Sequence, residues 1–84
     1  MTDTTLATFT FDGSTATLIR ADESGRVGVV VVDPELTGPW QWWSRTIDSL
    51  GRELDQAAND SGLSRFMTDR ARYVARKALS KATI

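Results

Sequence analysis

Apolar and polar residues alternate along the first third of the chain, on either side of the dipeptide Asp12-Gly13. Within Thr5–Phe11, Ala7, Phe9 and Phe11 point one way and Leu6, Thr8 and Thr10 the other, and this alternation with a period of two residues predicts a β-strand. Thr15–Arg20 continues the pattern as a second strand. Asp-Gly suits a two-residue hairpin turn, whose central residues need positive φ angles. A hairpin of this length places Phe9 opposite Ala16, Ala7 opposite Leu18 and Leu6 opposite Ile19.

A third strand is predicted over Val27–Val32, after the turn formed by Asp22-Glu23-Ser24-Gly25. A four-residue loop places Val29 opposite Leu18, so that alternate valines extend the apolar face of the hairpin. The other face then carries Val30 and Val32 beside residues of the first two strands. The three segments together predict an antiparallel meander over residues 5–32.

Two helices are predicted after the meander. Pro39 fits the first position of a helix over residues 38–59, because a proline there sacrifices no hydrogen bond. The predicted apolar stripe has spacings of three and four residues, typical of a helix: Trp40, Trp43, Ile47, Leu50, Leu54 and Ala57. A break at Asn59-Asp60-Ser61-Gly62 leads to a second helix over 63–82, whose predicted inward stripe is Leu63, Phe66, Met67, Ala71, Val74, Ala78 and Ala82.

These elements predict a single α+β domain over residues 1–84. The three-stranded antiparallel meander is followed by an antiparallel two-helix hairpin (β-β-β-α-α), packed on one face of the sheet. The apolar sheet face must be covered, and the helices are the available cover.

The composition excludes several kinds of chemistry. The 84 residues include no cysteine and no histidine, so a thiol nucleophile, a histidine base and a Cys/His zinc site are ruled out. Carboxylate pairs remain at Asp33 with Glu35 and at Asp22 with Glu23, but each pair lies in a turn, where acidic residues are usually solvated. We therefore expect no enzyme activity, no catalytic or metal-binding residue and no cofactor.

The N-terminus and the apolar runs bear on the location of the protein. Met1-Thr2-Asp3-Thr4 has neither a basic residue nor an apolar core, so no signal peptide is predicted. The longest apolar run, Val27–Val32, is far shorter than the ~20 residues of a membrane span. We expect a cytoplasmic protein without membrane contact. Eight arginines against two lysines indicate a GC-rich genome, such as that of an actinobacterium or one of its phages.

One candidate binding surface is the sheet face away from the helices. Alternation places four apolar residues there: Leu6, Ile19, Val30 and Val32. Apolar patches on a solvated face usually bind a partner or a second copy, and 84 residues seldom cover both faces of a sheet. The simpler interpretation is that one helix packs there. Trp42, on the helix side opposite the predicted stripe, is a further interface candidate or a buried aromatic at the helix start.

A second candidate surface is the basic C-terminal segment. Residues 1–60 hold four arginines against ten acids, a net charge of −6, whereas residues 61–84 hold six basic residues against Asp69, a net charge of +5. Nucleic acid or a protein partner could contact these side chains: Arg65, Arg70, Arg72, Arg76, Lys77 and Lys81. Against nucleic acid stand a pI near 5.2 and the lack of an aromatic stacking platform. The segment could instead complement the acidic remainder of the chain.

The sequence thus favours a small non-enzymatic protein-interaction or accessory module, self-associating as a homodimer or higher oligomer and binding a host or cognate protein. The alternative is a nucleic-acid-associated protein that uses the basic C-terminal helix.

Overall fold

A computed structural model describes residues 3–11, 13–57 and 69–82 of the chain. Four antiparallel strands precede two helices in these ranges, and the sheet order follows the chain order. The strands are β1 (Asp3–Phe11), β2 (Ser14–Ala21), β3 (Val27–Val32) and β4 (Trp40–Ser44). The helices are α1 (Ile47–Gln56) and α2 (Asp69–Ala82). The predicted α+β class is confirmed. The predicted number of three strands is wrong, because a fourth strand, β4, follows the meander.

The predicted meander and most of its register are confirmed. Phe9 pairs with Ala16, Ala7 with Leu18, and Leu18 with Val29. The predicted pairing of Leu6 with Ile19 is wrong, because the register shifts by one residue between Thr5 and Ala7. Thr5 lies opposite Ile19, and Leu6 is the extra residue of a β-bulge.

The first helix begins nine residues later than predicted, since Trp40–Ser44 forms an edge strand paired with β3. The helix start is fixed by a capping box. The Thr46 hydroxyl accepts a hydrogen bond from the Ser49 N–H at 3.0 Å, and the Ser49 hydroxyl accepts one from the Thr46 N–H at 3.0 Å. These bonds satisfy backbone donors that the first turn of a helix leaves without partners. The prediction of a helix over residues 38–59 is therefore wrong for its N-terminal part.

Both helices pack on the core face of the sheet, and α1 also packs on α2. Leu50 and Leu54 are buried, as the stripe predicted, together with Val74 and Ala78 of α2. The predicted inward position of Ala82 is wrong, because that residue is exposed. Predictions for residues 63–68, which include Leu63, Phe66, Met67 and Arg65, lie outside the described residues. In the described ranges, no helix has the length and apolarity needed to cross a membrane.

A buried polar cluster connects α2 to the sheet. The Asp33 side chain, only 1% exposed, accepts hydrogen bonds from the Ser14 hydroxyl and from Arg70 Nε, the latter at 2.8 Å. Arg70 also donates to the Ser14 hydroxyl at 3.0 Å and lies 3.4 Å from Glu35. The bond from Ser14, the bond from Arg70 and the Glu35 N–H lower the pKa of Asp33 to about 2. Asp33 and Glu35 thus serve to fix α2 on the sheet.

Candidate protein-interaction surface

The outer sheet face is the face opposite the helices, and its positions follow from the strand register. We define it by these eleven residues: Thr5, Thr8, Thr10, Thr15, Thr17, Ile19, Gly28, Val30, Val32, Gln41 and Trp43. At the ends of β1 and β2, the same register adds Asp3, which is charged, and Ala21, and we leave both out of the set. None of the eleven residues is charged, although charged residues make up 25% of the chain. Val32 is 52% exposed, and Thr8, Thr10 and Gln41 are also exposed. The face is therefore an open surface of apolar and threonine side chains.

An apolar patch extends across three neighbouring strands of this face. Ile19, Gly28 and Trp43 form one cross-strand row, and Thr17, Val30 and Gln41 form the next. Thr15 and Val32 follow in the same direction. We call Ile19, Val30, Val32 and Trp43 the outer patch. Apolar patches of this kind on small domains commonly mark binding surfaces.

Trp43 lies flat on the sheet because its neighbour in the row has no side chain. A Cβ atom at Gly28 would lie 2.5 Å from the Trp43 ring, closer than real Cβ contacts allow. The indole N–H of Trp43 donates to the Gln41 side chain at 2.7 Å. Since its polar group is already bonded, the half-buried ring adds apolar area to the surface. Sequence reasoning assigned Trp43 to the helix stripe and missed this role.

The structure brings together three of the predicted interface residues, Ile19, Val30 and Val32. Leu6 is 39% exposed but lies at the bulge, outside the row of Ile19. Trp42 is on the opposite, core side of β4, so the prediction that it lies away from the core is wrong. Its ring stacks on Trp40 with centroids 6.4 Å apart, and its indole N–H donates to Glu53 at 3.1 Å.

The same glutamate connects β4 to α1. The Ser44 hydroxyl donates to the second carboxylate oxygen of Glu53 at 2.5 Å and lies 2.6 Å from the Ser49 hydroxyl. Both Glu53 oxygens are therefore used within the fold. This cluster holds the edge strand against the helix, which is a structural task.

The basic residues of α2 are largely engaged with carboxylates of the same chain. Arg70 contacts Asp33, Arg72 lies 3.1 Å from Asp69, and Arg76 lies 2.9 Å from Asp55. Lys77 Nζ donates to the Tyr73 hydroxyl at 3.3 Å and lies 5.5 Å from the centre of its ring. Lys81 is exposed in the last turn of the helix. These contacts favour the interpretation that the basic segment complements the acidic one.

The remaining predicted carboxylate pair also lies in a turn. Asp22 accepts a hydrogen bond from the Thr4 hydroxyl at 2.6 Å, and both Asp22 and Glu23 are exposed. The bond joins β1 to the turn after β2. It explains Asp22 as part of the local structure.

No family model, curated protein or solved structure matches the chain in the three comparisons made. The function must therefore be inferred from the surfaces described above.

Proposed function

We propose that the chain is a non-enzymatic protein-interaction module whose contact surface is the outer sheet face, and that a second copy of the chain binds there. The observation that supports this proposal is a face of eleven uncharged residues, five of them exposed, in a chain that is one-quarter charged. In the proposed role, the self-associated protein is a small accessory factor, of phage or actinobacterial type, that binds a cognate or host protein.

A second copy is a suitable occupant on grounds of charge and symmetry. Two-fold association brings the same patch of both copies together, so like charges on the patch would repel each other. The eleven residues that define the outer sheet face carry none, and Asp3, which shares this face, lies at the end of β1. Threonine and valine side chains also pack well between facing sheets, which lie about 10 Å apart in known sandwiches.

The size of the face sets the expected strength of association. Four strands spaced ~4.8 Å apart, with three positions on each of β1, β2 and β3 and two on β4, cover roughly 350–400 Å² per copy. Both copies together then bury roughly 700–800 Å², which is below the ~1,600 Å² of a standard stable interface. The proposed dimer is accordingly a weak one, populated at high micromolar concentration.

Val30→Lys is expected to dissociate this dimer, because it places a charge in the middle of the outer patch and brings two like charges together. Light scattering and sedimentation of the wild type at high micromolar concentration should show a dimer or higher species, and the variant should be monomeric. Gln56→Lys, at an exposed position of α1, adds the same charge elsewhere and should leave association unchanged. A monomeric wild type at that concentration would refute the proposal.

The nucleic-acid alternative makes a separate prediction. Binding through α2 would require breaking contacts such as Arg76–Asp55, and the acidic remainder of the chain repels phosphates. We expect no measurable retention on single-stranded or duplex DNA near physiological salt. If retention occurs, it should fall steeply with salt and disappear in the Arg72→Glu, Arg76→Glu double variant, since each phosphate contact releases about one counterion. A micromolar or tighter complex would favour the alternative.

A further inference from the structure

The sheet has two edges, β1 and β4, and they differ in how well they are protected from further strand pairing. β4 has five residues and lies between Pro39 and Arg45, and two of its side chains are bonded to the Glu53 carboxylate. Short length, proline and nearby charge are common ways to protect an edge strand. The β4 edge is therefore protected from pairing with a further strand.

The β1 edge has fewer such features. The strand has nine residues, and no charged residue or proline occurs from Thr4 to Phe11. The bulge at Leu6 interrupts its N-terminal half, since a bulge disturbs the ladder of hydrogen bonds. Beyond it, Ala7–Phe11 pairs with Ser14–Leu18 without any slip. These five residues form a regular, uncharged edge.

The hydrophobic core is also incompletely closed at this edge. On the core face of β2, Ala16 and Leu18 are fully buried. Ala7 and Phe9, their partners on β1, are only half-buried although they pack against the same core. Among the described strands none lies beyond β1, so a further strand there would cover Phe9 from that side.

We propose that β1 is a homotypic strand-pairing site, at which β1 of a second copy adds antiparallel to form a continuous eight-stranded sheet. A two-fold axis perpendicular to the sheet keeps the helices of both copies on the same side. Directly opposed residues must then share a face, so the axis passes midway between the two copies of one residue. Phe9 is the middle residue of the regular stretch Ala7–Phe11, and we place the axis there.

This register produces favourable cross-strand pairs. Phe9 faces Phe9 of the second copy on the core side, and Thr8 faces Thr10 of the second copy on the outer side. Aromatic pairs and threonine pairs are both stabilising in antiparallel sheets. The strand carries no charge in this stretch, so self-pairing brings no repulsion. The contact goes beyond the proposed outer-face dimer and does not depend on it, because the two strands pair through their backbone edges. Phe9 lies on the core side, whereas Thr8 and Thr10 also belong to the outer sheet face.

Cysteine crosslinking tests the register directly, because the chain has no cysteine of its own. Thr8→Cys and Thr10→Cys change exposed residues and should leave the fold intact. Directly opposed Cβ atoms lie close enough for a disulfide, whereas a residue two positions further along the facing strand is too distant. Under mild oxidation at high micromolar concentration, the mixture should therefore form a Thr8–Thr10 crosslinked heterodimer roughly tenfold faster than either variant forms a homodimer.

Three other results would overturn this proposal: equal rates for the mixture and for either variant alone, no crosslink at all, or crosslinking confined to a Val30→Cys variant. The last result would support the outer-face dimer and reject the edge contact. Conversely, a Thr8–Thr10 heterodimer without any Val30→Cys crosslink would support the edge contact and count against the outer-face dimer. The two proposals can thus fail separately.

Discussion

Leu50→Ala is expected to lower the free energy of unfolding by roughly 2–5 kcal/mol, the range seen when a buried leucine is truncated and leaves a cavity. Leu50 is fully buried in the core cluster between α1 and the sheet. Domains of this size have a total stability of only ~4–13 kcal/mol, so the loss is a large part of it. Urea denaturation at low protein concentration measures the effect without a contribution from self-association.

Leu36→Ala provides a matched control for this substitution. Leu36 packs against the same core but is only half-buried, so its truncation removes less contact. We expect a clearly smaller loss of stability than at Leu50. An unchanged melting temperature for Leu50→Ala would contradict the assignment of α1 to the core.

The meander was predictable because its signals are local. The alternation of β1, the Asp12-Gly13 turn and the valines of β3 each specify a strand or a turn, and all of them agree on one register. Gly13 indeed has a φ of +78°, in the left-handed region that such turns require. The bulge at Leu6 escaped prediction because no glycine or proline marks it.

The fourth strand was missed because one segment satisfies two periodicities. Trp40, Trp43 and Ile47 have helical spacing, while Trp40 and Trp42 alternate with Gln41 and Trp43 as in a strand. Proline ahead of the segment is compatible with both. The better signal was the pair of hydroxyl residues Thr46 and Ser49, whose spacing suits a capping box. Tryptophan also favours strands over helices.

The candidate surface was predictable to the extent that it depends on alternation. The outer face carries Ile19, Val30 and Val32 as expected. The two tryptophans are placed the other way round, because the segment is a strand: Trp43 lies on the outer face and Trp42 on the core face. The Asp33–Arg70 contact joins residues 37 positions apart. No local pattern could have predicted it, because it depends on how α2 is placed on the sheet.

Arg70→Met is expected to destabilise the fold about as much as Leu50→Ala does. Methionine keeps much of the aliphatic length of arginine but removes the guanidinium group, which bonds both Asp33 and Ser14; the Arg70 side chain as a whole is 29% exposed. The Asp33 carboxylate then stays buried without its cation, and an unpaired buried charge is costly. Arg76→Met is the matched control. Its ion pair with Asp55 is solvent-exposed, and such pairs contribute at most about 1 kcal/mol.

The pH dependence of stability tests whether the loss of stability in Arg70→Met comes from the lost contact with Asp33. Because folding lowers the pKa of Asp33 from an ordinary value of 3.8 to about 2, the ionised group stabilises the native state above pH ~4. That contribution is lost as the pH falls toward 2. Without Arg70 the pKa of Asp33 should rise, so wild type and Arg70→Met should differ most at pH 7 and converge near pH 2. A difference in urea midpoint that stays constant from pH 7 to pH 2 would show that Arg70 acts through its packing alone.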